Sequence, residues 1–158
     1  MKTPYAWALV LSAMFLFGTQ SSQAQTKPTA EAAKNFLDFY YEGQGKGVIL
    51  VDSKVCTDVV EAECAESVDP SLLQVGMKYK IWLAFVVPRG DVVNSLSMQF
   101  SNEGEVKFAR DLSVKGSIRY RTWRSFNPTE PGIWEVKVTE TQESGIEEHA
   151  KLSLVVSE

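Results

Sequence analysis

The chain has 158 residues, 44% of them hydrophobic, with 16 basic and 20 acidic side chains for a net charge of −4. That is one domain's worth of residues, and its mild acidity argues against a general binder of nucleic acid or of anionic membrane. A zinc site on the two cysteines would need two more ligands, and His149 is the only histidine, so no metal is expected.

The chain opens on a leader. Lys2 supplies a short positive region, and the apolar run from Ala6 to Gly18 is too short to span a bilayer comfortably. Ser22-Gln23-Ala24 fits the small-x-small cleavage rule, which predicts a signal peptide over 1–24 and a mature chain starting at Gln25. A membrane anchor is the competing reading, and the short hydrophobic core disfavours it. No cysteine follows the apolar run to accept a lipid. Loss of Lys2 takes the charge from −4 to −5. A periplasmic or secreted protein is expected, with no membrane insertion after cleavage.

Residues 25–46 read as a short helix and a connector. Thr29 can cap a helix in which Ala33, Phe36, Leu37 and Tyr40 share a face, and Gly43 can stop it. "GQGKG" follows as a flexible link. From residue 47 to 158 the period changes to the alternation of strands. "GVILVDSKVC" is the first. It ends at Cys56, and Cys64 follows eight residues on in "KVCTDVVEAECAES". In an oxidising compartment such a pair forms a disulfide, worth about 2–3 kcal/mol by loop entropy. A redox-active pair is disfavoured, because the C-x-x-C spacing and a basic neighbour between the two are missing. Asp58, Glu61, Glu63, Glu66 and Asp69 surround the cysteines without a calcium-loop pattern, so a solvated acidic loop is expected.

Gly76 to Pro88 is apolar on both faces and reads as a central covered strand, with Trp82 in the core. Leu96, Met98 and Phe100 lead to a three-residue turn at Asn102-Glu103-Gly104, and Val106, Phe108 and Leu112 return from it as a hairpin. Ser117 to Phe126 sets Ile118 and Tyr120 on one face, expected inward, and Arg119, Arg121 and Trp123 on the other. Asn127-Pro128 and Pro131-Gly132 make a corner, after which Trp134, Val136 and Val138 resume the alternation. Ala150, Leu152, Leu154 and Val156 close the chain. About seven strands, short turns and no crossover helices predict an all-β, antiparallel, immunoglobulin-like two-sheet sandwich preceded by one short N-terminal helix.

The segments "RYRTWRS" and "PTEPGIWEVKV" resemble the final strands of short immunoglobulin-like domains in bacterial envelope proteins. They are similar to a family of unassigned function whose domains carry W-x-S and then P-G-x-W-x-V, here Trp123, Ser125, Pro131, Gly132, Trp134 and Val136. The resemblance covers Val75 to Val156. It implies the sandwich and brings no catalytic residue with it.

Catalysis needs a constellation that the residues do not offer. His149 stands in the polar run "EEHAK", where a surface position is expected. No G-x-S-x-G, H-E-x-x-H or phosphate-loop pattern occurs, so neither enzyme nor cofactor is expected. The binding candidates are Arg119, Arg121 and Trp123, within a basic group that includes Arg110, Lys115 and Arg124. Two guanidinium groups beside an indole suit an acidic protein or an anionic glycan. The alternative is that the arginine stems only shield an outer sheet face and pair with neighbouring acids. The two expectations are a binding module or a purely structural, accessory domain of an envelope complex, with an enzyme a distant third.

Overall fold

The computed structural model describes residues 28–158. The expected leader and the cut before Gln25 lie outside the described residues. Helix α1 spans Ala30–Glu42, where the Thr29 hydroxyl accepts from the amide of Ala32 and Gly43 closes the end on the Phe39 carbonyl. None of its side chains is buried. It is held at its C-terminal end, where Gln44 donates to the Arg89 carbonyl at 3.0 Å and the Gly45 amide donates to Asp91 at 2.9 Å. Among the described residues no helix is long and apolar enough to cross a membrane.

Eight strands follow: β1 Ile49–Cys56, β2 Val59–Val60, β3 Glu63–Cys64, β4 Leu73–Gln74, β5 Tyr79–Asn102, β6 Glu105–Phe126, β7 Gly132–Gln142 and β8 Gly145–Ser157. The segments read from the sequence as separate strands, Gly76 to Pro88 and the one carrying Leu96, Met98 and Phe100, are one strand, β5, and the return of the hairpin runs on into 117–126 as β6. These two long strands pair on both sides of a shared bend, so each serves both layers of the sandwich. In the first layer Tyr79 to Val86 of β5 pairs with β1 on one side and with Tyr120 to Phe126 of β6 on the other. In the second, Leu96 to Asn102 lies between the start of β6 and β7, with β8 beyond and β4 parallel at its edge over two residues.

The bend falls where the pairing is interrupted, between Val87 and Val92. Gly90 has φ +90°, and Gly116 lies directly against it. Between the layers sit Tyr79, Ile81, Leu83, Phe85, Leu96, Met98, Phe100, Phe126, Trp134, Val136, Val138 and Leu154, all buried. Phe100 stacks on Phe108 and on Phe126, and Phe126 meets Trp134 edge-on at 5.2 Å. The Trp134 indole is satisfied by donating to the Glu130 carbonyl across the Pro131-Gly132 corner. The result is an all-β, immunoglobulin-like sandwich with one short helix before it.

Two local expectations change. The hairpin turn has two residues, Glu103 and Gly104, both with positive φ, because Asn102 already pairs with Glu105. Ile118 does not point inward and is 55% exposed. Phe85 pairs with Tyr120 but Val87 pairs with Ser117, so β6 carries an extra residue opposite Val86. A bulge of that kind breaks the two-residue alternation on which the inward assignment of Ile118 rested.

Candidate functional site

The outer face of the first layer is built from β1, β5 and β6. Its register sets Lys54 opposite Trp82, Trp82 opposite Trp123, and Ala84 opposite Arg121. Cross-strand partners share a face, so Trp82, Ala84, Arg121 and Trp123 point away from the main core. Trp82 and Ala84 are nonetheless buried, in a second apolar cluster with Cys56, against which Val59, Cys64 and Trp123 pack. The cover is the hairpin β2–β3.

That hairpin is tied down at three points. Cys56, the last residue of β1, is bonded to Cys64 of β3 with Cα atoms 5.6 Å apart, closing the expected loop. The Trp82 indole donates to the Ala62 carbonyl at 2.9 Å. Glu63 receives two arginines: Arg119 donates through Nη1 at 3.0 Å and Nη2 at 3.3 Å, and Arg121 donates through Nη1 to the same carboxylate. The turn itself carries two successive left-handed residues that are not glycine, Glu61 at φ 50° and Ala62 at φ 65°. Such a conformation costs of order 1–3 kcal/mol per residue and persists only where the surroundings over-determine it.

The sequence-derived candidates are therefore brought together, with additions. Arg119 and Arg121 share Glu63 while their side chains remain 51% and 34% exposed. Trp123 is half-buried against the disulfide cluster rather than open beside the arginines. Arg124 goes elsewhere, donating to the carbonyls of Trp123 and Asp111. The acidic loop is not wholly solvated, since Glu63 is its contact with the sheet. Flanking cations lie over the buried Trp82 ring, Lys54 at 5.3 Å and Arg119 at 5.9 Å from its centroid. Beside the arginine pair opens a shallow cleft of about 340 Å³, lined by Ala62, Lys115, Gly116, Ser117, Arg119, Tyr120 and Arg121. Lys115 joins the two arginines there because the bend in β6 turns the strand at Gly116.

His149 does not take the surface position expected of it. Its side chain is 6% exposed, and its Nε2 lies 2.9 Å from Oε2 of Glu140, itself 5% exposed. The packing of β8 on β7 brings it against Glu140 and removes it from the surface that the polar run suggested; a charged segment hides one buried member when a polar side chain of the neighbouring strand meets it. Nothing in the local pattern of "EEHAK" marks that partner.

No protein-family model matches the chain, and no curated protein matches it. Solved structures similar to it include the C-terminal domain of wzt, with 10% identity over 71% of this chain and 74% of that one and a TM-score of 0.44. The CARDB domain of PF1109 from Pyrococcus furiosus is similar in two structures. Its crystal structure in complex with di-metal ions has 14% identity over 70% of this chain and 88% of that one, with a TM-score of 0.39. Its solution NMR structure has 17% identity over 55% and 86%, with a TM-score of 0.35.

Proposed function

We propose that this chain is an exported, non-catalytic immunoglobulin-like module of the cell envelope, periplasmic or secreted, that binds an acidic protein or anionic glycan at the cleft beside Arg119 and Arg121. The observation that carries the reading is the convergence of both guanidinium groups on the single carboxylate of Glu63. Half-exposed arginines arranged to grip one carboxylate accept another of the same chemistry, since an exposed ion pair holds its partner by no more than about 1 kcal/mol. The adjoining cleft adds Lys115 and the small residues Gly116 and Ser117, which leave room for an incoming acidic group. Glu63 then acts as an internal competitor.

A second reading has its own support. Glu63 is held in place by the neighbouring disulfide and by the Ala62–Trp82 bond, so the arginines also serve to clamp the hairpin over Trp82. In that case the chain is a structural or accessory domain.

The two part under one experiment. Retention of the chain on immobilised poly-glutamate and on polygalacturonate is measured against rising salt, together with thermal melts. For a binding face, Glu63→Gln strengthens retention, and the double variant Arg119→Gln/Arg121→Gln loses it while remaining folded. Retention of the wild type should fall with salt, as contacts between exposed charges do. Equal elution of the wild type and the double arginine variant removes the binding reading and leaves the structural one.

A further inference from the structure

We propose that Glu140, Glu147 and His149 form a binding site for one divalent transition-metal ion of the zinc type. One imidazole nitrogen and one oxygen from each carboxylate lie within 4.8 Å of one another. Donors bound to a single zinc at about 2.1 Å sit roughly 3.4 Å apart in a tetrahedral shell, so small side-chain rotations complete the set. The expectation that the only histidine lacks partner ligands rested on counting Cys and His; the partners are carboxylates.

The strands build the site. Glu140 of β7 pairs directly with Glu147 of β8, and Thr139 pairs with Glu148. The next pair is Val138 with Ala150, so His149 is the extra residue of a bulge. Alternation already sends Glu147 and His149 to one side, and the bulge turns the ring toward Glu140, as bulges do when they re-aim a side chain. A charged surface cluster would not be buried in this way. The side chains of Glu140 and His149 are both more than nine-tenths buried, and a carboxylate taken from water needs a compensating cation. Apart from the imidazole, the polar contact to Glu140 is the Ser95 hydroxyl at a long 3.4 Å.

The surroundings have the form of an outer shell and an entrance. Gln142 donates to Glu147 at 2.8 Å, fixing one carboxylate as second-layer partners of metal ligands do. The loop before β1 crosses over Glu140 at Gly47, where a Cβ would fall 2.8 Å from the Glu140 carboxylate and 2.9 Å from the Gln142 amide. Shallow recesses of about 450 and 470 Å³ flank Glu140 on either side of that loop, and Glu147 is exposed. An ion can reach the site from solvent, with water completing its shell. Mixed nitrogen and oxygen donors favour Zn²⁺ and its neighbours over Ca²⁺ or Mg²⁺, which prefer oxygen alone.

The test is titration of the tag-free chain, stripped with EDTA, against Zn²⁺ in competition with a chromogenic chelator, with thermal melts in parallel. The expected result is one ion per chain and a raised melting temperature. Glu147→Gln, at an exposed position that leaves folding intact, should weaken binding at least about tenfold. His149→Asn should abolish it, and Glu148→Gln, on the opposite face, should leave it unchanged. The Arg119→Gln/Arg121→Gln variant should bind Zn²⁺ as the wild type does, which separates this site from the arginine cleft. Absence of stoichiometric binding overturns the proposal. Wild-type affinity in Glu147→Gln, or an equal loss in Glu148→Gln, overturns it as well.

Discussion

A Cβ on Gly116 would lie 2.7 Å from the backbone nitrogen of Gly90, and 2.9 Å from the carbonyl oxygen of Pro88. The two long strands cross their bend at this point with backbone against backbone, and no flexible side chain stands there to move aside. Gly116→Ala should therefore cost about 1–3 kcal/mol, as forced overpacking does. Urea unfolding checks it. A midpoint unchanged from the wild type would mean that the layers can part at the bend without penalty.

Trp134 fills the centre of the core against Phe126 and keeps its indole bonded to Glu130. Truncation to Ala removes a large aromatic volume from a packed interior and should cost about 3–5 kcal/mol. That is a large part of the stability of an ordinary domain. A thermal melt close to that of the wild type would sink the assignment of Trp134 to the core.

Replacing Cys56 and Cys64 together by Ala opens the loop that shields Trp82. The expected loss is about 2–3 kcal/mol from loop entropy. The left-handed residues Glu61 and Ala62 should also relax once their tether is gone, making Trp82 accessible. Acrylamide quenching of tryptophan fluorescence reports this directly. Quenching equal to that of the intact protein would show that the arginine pair and the Ala62–Trp82 bond hold the hairpin by themselves.

Glu135 is held below its ordinary value near 4.5, first by its hydrogen bond from Lys151 and then by that from Lys137. A carboxyl whose folded value is depressed binds its proton more readily in the unfolded chain. Its contribution is thus complete above about pH 4.5 and is lost as the pH falls through the lower folded value. Glu135→Gln should lower the urea midpoint by a small amount at pH 7, where solvent screens the ion pairs, and flatten its decline between pH 5 and 3, so that the two proteins converge in acid. Parallel pH profiles for the two proteins would contradict the linkage.

The sequence alone determined the class of the fold. Alternating apolar residues, the positive-φ turn at Gly104 and the Pro131-Gly132 corner act over a few neighbours, and a chain that must bury Phe100, Phe126 and Trp134 while pairing every strand has few architectures open to it. The helix ends at Thr29 and Gly43 are equally local, and a cysteine pair eight residues apart in an expected exported chain leaves little choice of bond. Tertiary structure decided everything that joins distant residues on different strands. The merging of four expected strands into two depends on Gly116 meeting Gly90, which no local pattern encodes. Ile118 faces solvent because a bulge forms opposite Val86, a matter of register between strands. The arginine face appeared in the sequence, but its occupant did not: Glu63 reaches Arg119 and Arg121 across more than fifty residues, on a turn with no glycine to announce it. His149 is buried because the register between β7 and β8 shifts at a bulge, which turns its ring toward Glu140 and beside Glu147. Pattern is a property of neighbours along the chain, whereas a site is made by charges whose burial has to be compensated in space.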